Sequence, residues 1–171
     1  MFALVDGNNF FVSCERVRHP ELAQKPVVVL SNNDGCIIAR SNEVKALGIK
    51  MGEPVFKCRE KLDRHRVVLL SSDVQWYRYL SRQVVAVFQQ FSPDIEVYSI
   101  DESFIYFSTR IQSYHELGIS IKKSVQDITG IPVGVGFGKT KTLAKIANKI
   151  AKKAADGVCC IHDYNEDLLL K

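Results

Sequence analysis

Short apolar runs separated by turn-forming residues recur along the whole chain. Runs of a few mostly apolar residues, bounded by glycine, proline, asparagine or aspartate, are typical of β-strands. The first run, Phe2–Val5, ends at the acidic residue Asp6 and has this character. The strands predicted in this way cover residues 2–6, 27–31, 36–40, 67–71, 94–100, 103–107, 132–138 and 158–161.

In residues 73–91 and 140–154, apolar residues repeat every three or four positions, which is the spacing of one helix face. Asn8 and Asn9 are placed to cap the first helix, and Gly48 and Gly130 are placed where a helix ends. Strands mixed with helices predict an α/β (α+β) fold. The predicted helices cover about 9–18, 42–47, 57–63, 73–91, 113–129 and 140–154, with a further helix start at 165–171.

Composition places the chain among ordinary folded domains. Of 171 residues, 46% are hydrophobic and 25% are charged, and no apolar run approaches the roughly 20 residues that a membrane-spanning helix needs. Asp6 comes too early in the chain for a signal peptide. The five cysteines are odd in number and form no C-x-x-C pair, so reduced thiols are expected. We therefore expect a cytoplasmic protein without a membrane partner.

A run of lysines is the main departure from an even distribution of charge. The net charge is only +4, but residues 139–153 hold six lysines and no acid. A solvated lysine face and a phosphate-binding surface both remain open for this segment. The glycine-rich run 134–138 makes a backbone close to a phosphate plausible, but a lone glycine-rich stretch is weak evidence and this one is not a P-loop. The lysines on one face of the predicted helix are Lys141, Lys145, Lys149 and Lys152.

Two acidic positions lie next to apolar strands. Asp6 precedes a helix start, where a carboxylate and free backbone N–H groups can hold a cation and a phosphate together. Asp101 and Glu102 are adjacent, and both reach one site only if the chain bends there. Taken singly, Asp6 is more simply a polar strand end. An exposed acidic turn is the alternative for the pair, and the apolar neighbours Ile100, Phe104 and Ile105 argue against it. Taken with the basic helix, the acids favour metal-assisted phosphoryl chemistry, and their oxygen ligands suit Mg²⁺.

Several blocks of sequence resemble, in the expected order, the conserved motifs of Y-family, UmuC-type translesion DNA polymerases. The resemblance spans nearly all of residues 1–162 and implies a template-directed nucleotidyl transferase. The first block, Asp6–Glu15, resembles the first acidic motif of the family, and Tyr98–Glu102 resembles the second. The remaining blocks are 26–40 and 43–52, which resemble the fingers, and 133–136 with 139–148, which resemble the third conserved block.

The resemblance implies that Asp6, Asp101 and Glu102 are the catalytic metal ligands, assisted by the carbonyl of Gly7. Two Mg²⁺ ions are implied, with Asp6 and Asp101 bridging them. One ion would activate the primer 3′-hydroxyl and the other would hold the triphosphate.

The resemblance also implies a nucleotide site. It places the Asn9 and Phe10 amides, with Asn42, Lys45 and Lys152, at the triphosphate. Many family members have tyrosine and arginine where this chain has Asn42 and Lys45, so weaker phosphate contacts are expected.

Three further positions have implied roles around the sugar and the base. Phe11 falls at the steric gate, where an aromatic ring excludes a ribose 2′-hydroxyl. The alternative is that Phe10 and Phe11 are both core residues. Gly35 and Cys36 fall where small fingers residues cover the nascent base pair.

The expected architecture is a palm with small inserted fingers. The palm covers residues 1–19 and 76–171, with a ferredoxin-like mixed or antiparallel sheet and helices on one face, and the fingers cover 20–75. The thumb and little-finger domains of the family are absent from this chain, so we expect a fragment or a truncated gene product. Because most nonspecific affinity for DNA comes from the phosphates that are neutralised, the chain alone should bind DNA weakly.

The implied function is error-prone translesion synthesis in DNA repair, within the SOS response to DNA damage. The implied partners are primer–template DNA and deoxynucleoside triphosphates. A UmuD-like subunit, a recombinase filament and the sliding clamp are expected by resemblance alone, as is a place in the bacterial cytoplasm at the nucleoid.

Two other interpretations stay open at the level of sequence. A nucleotide cyclase-like domain also places two acids around two metals, but it needs purine-recognition residues and has no use for Phe11 as a gate. A non-catalytic truncated DNA-binding or regulatory remnant accords with the missing domains, whereas the intact acids argue against decay.

Overall fold

The computed structural model describes residues 1–161, which form two compact units. One unit joins residues 1–8 to the part of the chain that begins at Tyr79, and the other covers Asn9–Arg78. The described strands are β1 Phe2–Gly7, β2 Val27–Leu30, β3 Ile37–Arg40, β4 Val68–Ser71, β5 Ile95–Val97, β6 Glu102–Tyr106, β7 Val133–Gly138 and β8 Val158–Cys160. The described helices are α1 Phe10–Arg18, α2 Asn42–Ala46, α3 Val55–Arg64, α4 Val74–Phe88, α5 Tyr114–Thr129 and α6 Lys141–Ala151, with a 3-10 helix over Pro20–Leu22.

The first unit is built on a five-stranded mixed sheet in the order β5-β6-β1-β7-β8. β1 is central and antiparallel to both β6 and β7, whereas β7 and β8 are parallel. Ala3, Leu4 and Val5 are almost completely buried, as expected for a strand with neighbours on both sides. The central position of β1 brings its end, at Asp6, next to two other strands.

Helices lie on both faces of β7. Side chains alternate between the two faces of a strand, and the tilted Phe137 and Tyr114 rings, 5.4 Å apart, place α5 on one of them. On the opposite face, a Cβ at Gly136 would lie 2.1 Å from the Asn148 backbone nitrogen of α6. The expectation of helices on one face is therefore wrong. The glycine run lies in the predicted strand, which is buried throughout, and its close backbone approach is to α6.

The second unit has its own small sheet and core. Its strands run in the order β3-β2-β4, with β2 antiparallel to β3 and parallel to β4. The N-cap of α2 is Ser41, whose side chain accepts a hydrogen bond from the Val44 amide. The core that joins this sheet to its helices contains Val28, Ile37, Val44, Ile49, Cys58, Leu62 and Val67.

Helix α1 begins in an unusual conformation at its N-cap. Asn9 has φ 47° and ψ 48°, the left-handed region, and its side chain makes no capping hydrogen bond. The prediction that the asparagine side chains cap this helix is thus wrong for Asn9. The Ser13 amide still donates to the Asn9 carbonyl at 2.9 Å, so the helix starts while the Asn9 side chain is available elsewhere.

The predicted fold class is confirmed, and the predicted elements are found with shifts of a few residues at their ends. β5 is shorter than the predicted strand 94–100, and the 3-10 helix was not predicted. The predicted helix start at 165–171 lies outside the described residues. Within the described part of the chain, no helix is long and apolar enough to cross a membrane. The proposed palm and fingers limits differ from the two units and stay a prediction.

Candidate active site

The backbone brings the three predicted catalytic acids to one end of the first unit's sheet. Asp6 is the register partner of Glu102 on β6 and of Gly134 on β7. The amide of Gly7 donates to the carbonyl of Asp101 at 2.9 Å. Strand pairing thus brings the three acids close together, because β1 ends next to the point where β6 begins.

A tight turn before β6 sets the positions of Asp101 and Glu102. The amides of Tyr98 and Ser99 both donate to the Glu102 carbonyl at 3.0 Å, which closes the turn. The Ser99 hydroxyl lies 2.8 Å from Asp101 Oδ1 and 3.4 Å from Glu102 Oε2. This bend is the one that the adjacent acids were predicted to need. Ser99 itself was given no role from sequence.

Asp6 is the most buried acid of this group, with 9% of its surface exposed. Lys152, which caps the end of α6, donates from Nζ to Asp6 Oδ2 at 2.6 Å. Burial raises the pKa of Asp6, and the negative charges of Asp101 and Glu102 raise it further, although Lys152 acts against them. An acid in this state gains from additional positive charge, because a cation offsets both the desolvation and the repulsion.

The chemistry of these donors fits Mg²⁺, which prefers carboxylate and carbonyl oxygens and keeps several waters. As they stand, no three acidic, histidine or cysteine side chains in residues 1–161 are close enough together to hold one metal ion. The side chains contact other partners instead, since Asp6 forms an ion pair with Lys152 and Asp101 accepts a hydrogen bond from the Ser99 hydroxyl. Side-chain rotation about a backbone already in place would be needed to bind the ion.

Helix α6 passes close to this end of the sheet and is fixed by a buried asparagine. Asn148 is 2% exposed, and its Nδ2 donates to the carbonyls of Leu4 at 3.0 Å and Gly134 at 2.9 Å. The Lys145 ammonium lies 3.9 Å from the centre of the Tyr98 ring, a cation–π contact. The lysine face was predicted from spacing, whereas the role of Asn148 was not.

In the second unit, three of the predicted triphosphate residues form one polar cluster. Asn9 Nδ2 donates to Asn42 Oδ1 at 3.0 Å, and the Lys45 ammonium donates to Asn9 Oδ1. The Asn9 side chain thus contacts both groups and makes no capping hydrogen bond at the start of α1. The amide nitrogens of Asn9, Phe10 and Phe11 belong to the first turn of α1, where backbone donors have no partner within the helix.

The two neighbouring phenylalanines differ in their surroundings. Phe10 is 5% exposed and belongs to the core, whereas Phe11 is only partly buried. The Phe11 ring stacks on the Tyr77 ring with centroids 4.5 Å apart and planes 17° apart. Burial raises the pKa of Tyr77, and its hydrogen bond to Glu15 raises it further. The prediction that Phe11 is a gate remains a prediction, but Phe11 has the more accessible ring of the two.

Gly35 and Cys36 lie at the turn between β2 and β3. Gly35 has φ 64°, which a residue with a side chain adopts only with strain. The Cys36 amide donates to Asp34 Oδ1 at 2.9 Å, and the Ser31 amide donates to the Cys36 carbonyl. An open cavity of about 550 Å³ next to Gly35 is lined by Asp34, Gly35, Val55, Phe56 and Arg59.

Comparison with known proteins places these residues in a family. The model of the impB/mucB/samB family matches residues 5–149. The UmuC protein of Salmonella typhimurium is 48% identical over 92% of this chain and 39% of its own length. The ImpB protein of Salmonella typhimurium is 43% identical over the whole chain and 41% of its own length. The chain therefore spans about two fifths of the curated relatives that it matches.

A solved structure gives the same assignment for the fold. The Dbh DNA polymerase in an insertion ternary complex superposes with a TM-score of 0.81 at 27% identity, over 94% of this chain and 48% of that one. The resemblance to UmuC-type Y-family polymerases that the motifs predicted is confirmed.

Proposed function

The chain belongs to the impB/mucB/samB family, and from this premise we propose that it is the catalytic part of a Y-family translesion DNA polymerase. The substrates are a primer–template DNA and a deoxynucleoside triphosphate. The reaction is template-directed nucleotidyl transfer in error-prone bypass of damaged bases.

In the proposed reaction the primer 3′-hydroxyl oxygen attacks the α-phosphorus of the incoming nucleotide. A bond forms between that oxygen and the phosphorus, the bond from the α-phosphorus to the bridging oxygen breaks, and pyrophosphate leaves. The hydroxyl proton passes to solvent. Asp6, Asp101 and Glu102, with the Gly7 carbonyl, would hold two Mg²⁺ ions, which supply charge neutralisation for the attacking and leaving oxygens.

The nucleotide-binding residues contribute by position and charge. We assign Asn9, Asn42 and Lys45, with the Phe10 amide, to the triphosphate. We assign Phe11 to the deoxyribose. Gly35 and Cys36 cover the nascent base pair.

Lys152 is also assigned to the triphosphate. It bonds Asp6 in the described structure, so it has to exchange one anionic partner for another when a nucleotide binds. A lysine is suited to this exchange because its ammonium makes no fixed bidentate geometry.

The observation that carries the proposal is the electrostatic state of Asp6. This carboxyl group is buried at the paired ends of β1 and β6, and two further acids raise its pKa. A purely structural acid is usually hydrogen-bonded or paired without such repulsion. The arrangement is the one expected of a site that accepts a cation.

The rival functions accord less well with these residues. A cyclase-like domain would use the same acids, but it gives no reason for a partly exposed aromatic ring at Phe11. A non-catalytic remnant gives no reason to retain a buried acid whose environment disfavours its charge.

We expect the chain by itself to bind DNA weakly and to extend primers slowly. The relatives are more than twice its length, and duplex affinity grows with the number of phosphates contacted. A UmuD-like subunit, a recombinase filament, the sliding clamp and a place at the bacterial nucleoid are expectations from the family alone.

The experiment is a single-nucleotide insertion assay at high protein concentration, with a 5′-labelled primer and each template base in turn. We expect slow insertion of the complementary nucleotide that requires Mg²⁺. Asp101→Asn should lower the rate by about 100-fold or more, because one preorganised charge is lost. Asp156→Asn, an exposed acid of the same unit, is the matched control and should leave the rate unchanged.

Other outcomes would support a rival function or contradict the roles assigned to the acids. Formation of a cyclic nucleotide without primer extension would support the cyclase. If neither extension nor cyclisation occurs, and nucleotide binding is independent of Mg²⁺, the remnant is favoured. Untemplated insertion that survives Asp101→Asn would contradict the assignment of the acids.

A further inference from the structure

The Tyr77 ring packs against one face of the Phe11 ring. It is 0% exposed, and its ring lies nearly parallel to the Phe11 ring at 4.5 Å between centroids. Phe11 is thus covered on one face by a buried aromatic ring and is only partly buried itself. Any movement of Phe11 toward Tyr77 would require Tyr77 to move as well, because protein interiors contain few voids.

The Tyr77 ring is itself held by a second contact with α1. Its hydroxyl donates to Glu15 Oε1 at 2.6 Å, and Glu15 is 4% exposed. Phe11 and Glu15 are four residues apart on one helix and therefore share a face. One helix face thus contacts Tyr77 twice, through a stacked ring and through a carboxyl group.

Trp76, next to Tyr77 in α4, makes another contact with α1. The indole nitrogen of Trp76 donates to the Cys14 carbonyl at 2.9 Å. The start of α4 is therefore joined to α1 by two long-range side-chain hydrogen bonds, one from Trp76 and one from Tyr77. A rotation of Tyr77 would break a buried hydrogen bond, which is costly when no water replaces it.

We infer that Tyr77, fixed by Glu15, is a positioning residue for sugar selection: it keeps the Phe11 ring from retreating when a ribonucleotide presents its 2′-hydroxyl. The inference rests on the proposed function, in which Phe11 faces the deoxyribose. A gate excludes a hydroxyl group only if it does not yield, and the stacked, hydrogen-bonded Tyr77 ring supplies that resistance. The simpler alternative is that Tyr77 only fills the core.

The test compares variants that keep the core filled. Tyr77→Phe removes only the hydroxyl, and Glu15→Gln retains an acceptor for it. The double variant Tyr77→Phe with Glu15→Leu removes both polar partners, which avoids an unpaired buried carboxyl group and serves if the single variant is unstable. Phe11→Ala is the reference for a lost gate.

Two measurements are made on the full chain with Mg²⁺. Isothermal titration calorimetry gives the ratio of the dissociation constants for GTP and dGTP. Site-specific 4-fluorophenylalanine at position 11 gives a ¹⁹F resonance that reports whether the ring occupies one environment. A residue that only fills the core would alter the melting temperature without changing the ratio.

We expect the wild-type chain and Glu15→Gln to prefer dGTP and to show one narrow resonance. Tyr77→Phe, or the double variant, should lower the preference by about threefold or more, which corresponds to the loss of one buried hydrogen bond, and should broaden the resonance. The inference would be overturned if a folded Tyr77→Phe protein keeps the wild-type preference for dGTP while Phe11→Ala loses it. That result would leave the gate role of Phe11 intact. If the wild type has no preference, or Phe11→Ala leaves it unchanged, the gate itself is wrong and the sugar-selection role of Tyr77 fails with it.

Discussion

Two buried acids, one in each unit, have different neighbours. Asp6 is 9% exposed and Glu15 is 4% exposed. Glu15 accepts a hydrogen bond from the uncharged Tyr77 hydroxyl. Asp6 is paired with Lys152 but also lies near Asp101 and Glu102, and its pKa is raised. Burial therefore does not separate the acid expected to function from the acid expected to hold the fold; the charges around each acid do.

The two acids also differ in how far their neighbours offset the cost of burying a carboxyl group. The Glu15–Tyr77 contact favours one arrangement of α1 and α4, because either group would be costly to bury alone. Burial of Asp6, with a further contribution from the negative charges of Asp101 and Glu102, outweighs the stabilisation that Lys152 provides, since the pKa of Asp6 is still raised. The second unit thus uses its buried acid to fix a geometry, whereas the first unit retains a repulsion that a bound cation would relieve.

The largest expected effect comes from breaking the Glu15–Tyr77 contact altogether. Tyr77→Ala should lower the free energy of unfolding by about 3–5 kcal/mol, because it removes a fully buried aromatic ring and leaves the Glu15 carboxyl group without this donor. Urea denaturation followed by circular dichroism measures the change. Phe56→Ala, an aromatic truncation at a residue that is 78% exposed, is the control and should change stability by less than about 0.5 kcal/mol. Equal effects of the two substitutions would contradict the comparison.

Local patterns in the sequence predicted the strands and helices because each depends on neighbours a few residues apart. The two acidic motifs could also be recognised from sequence, since each places an acid next to apolar strand residues. The sequence predicted a bend at Asp101, and the turn closed by Glu102 provides it.

Contacts between distant residues could not be predicted in this way. Glu15 and Tyr77 are 62 positions apart, and Asn148 bonds a carbonyl 144 positions away. The only local signal for Asn148 is a polar residue within the apolar and alanine positions of α6. The strand containing the β7 glycines was predicted, but the reason for the glycines was not, because close packing on a helix backbone and close approach to a phosphate both need the missing Cβ.

A smaller effect of opposite sign is expected at Asp6. Its folded-state pKa is raised above 3.8, so the unfolded chain releases its proton first as the pH rises, and ionisation of Asp6 disfavours the folded state at neutral pH. Asp6→Asn should therefore raise the melting temperature at pH 7, even though it removes the partner of Lys152. Well below pH 3.8 the acid is protonated in both states, and the difference should disappear.

Thermal denaturation across this pH range, without added divalent ions, measures the Asp6 effect. Insertion activity should be lost in the same variant, so the stability gain and the functional loss would occur together. A lower melting temperature for Asp6→Asn at pH 7 would mean that the Lys152 ion pair outweighs burial and repulsion.

The smallest expected effect concerns Asp73, an exposed acid of the second unit. The Trp76 amide donates to its Oδ1 at 3.0 Å and Arg18 to its Oδ2 at 2.9 Å. The backbone hydrogen bond, followed by the Arg18 contact, lowers the pKa of Asp73. A lowered folded-state pKa contributes stability above the unfolded value of 3.8, and this contribution is lost as the pH falls through the folded pKa. The sign is thus opposite to that at Asp6.

Asp73→Asn keeps an acceptor for the Trp76 amide and removes only the charge. It should lower the melting temperature slightly at pH 7, and added salt should reduce the difference because the Arg18 contact is exposed. As the pH falls below 3.8, the variant and the wild type should converge. Plotted against pH, the Asp73→Asn and Asp6→Asn differences should have opposite signs at neutral pH and meet near zero in acid. Two curves of the same sign would show that the environments of these acids do not differ as the comparison requires.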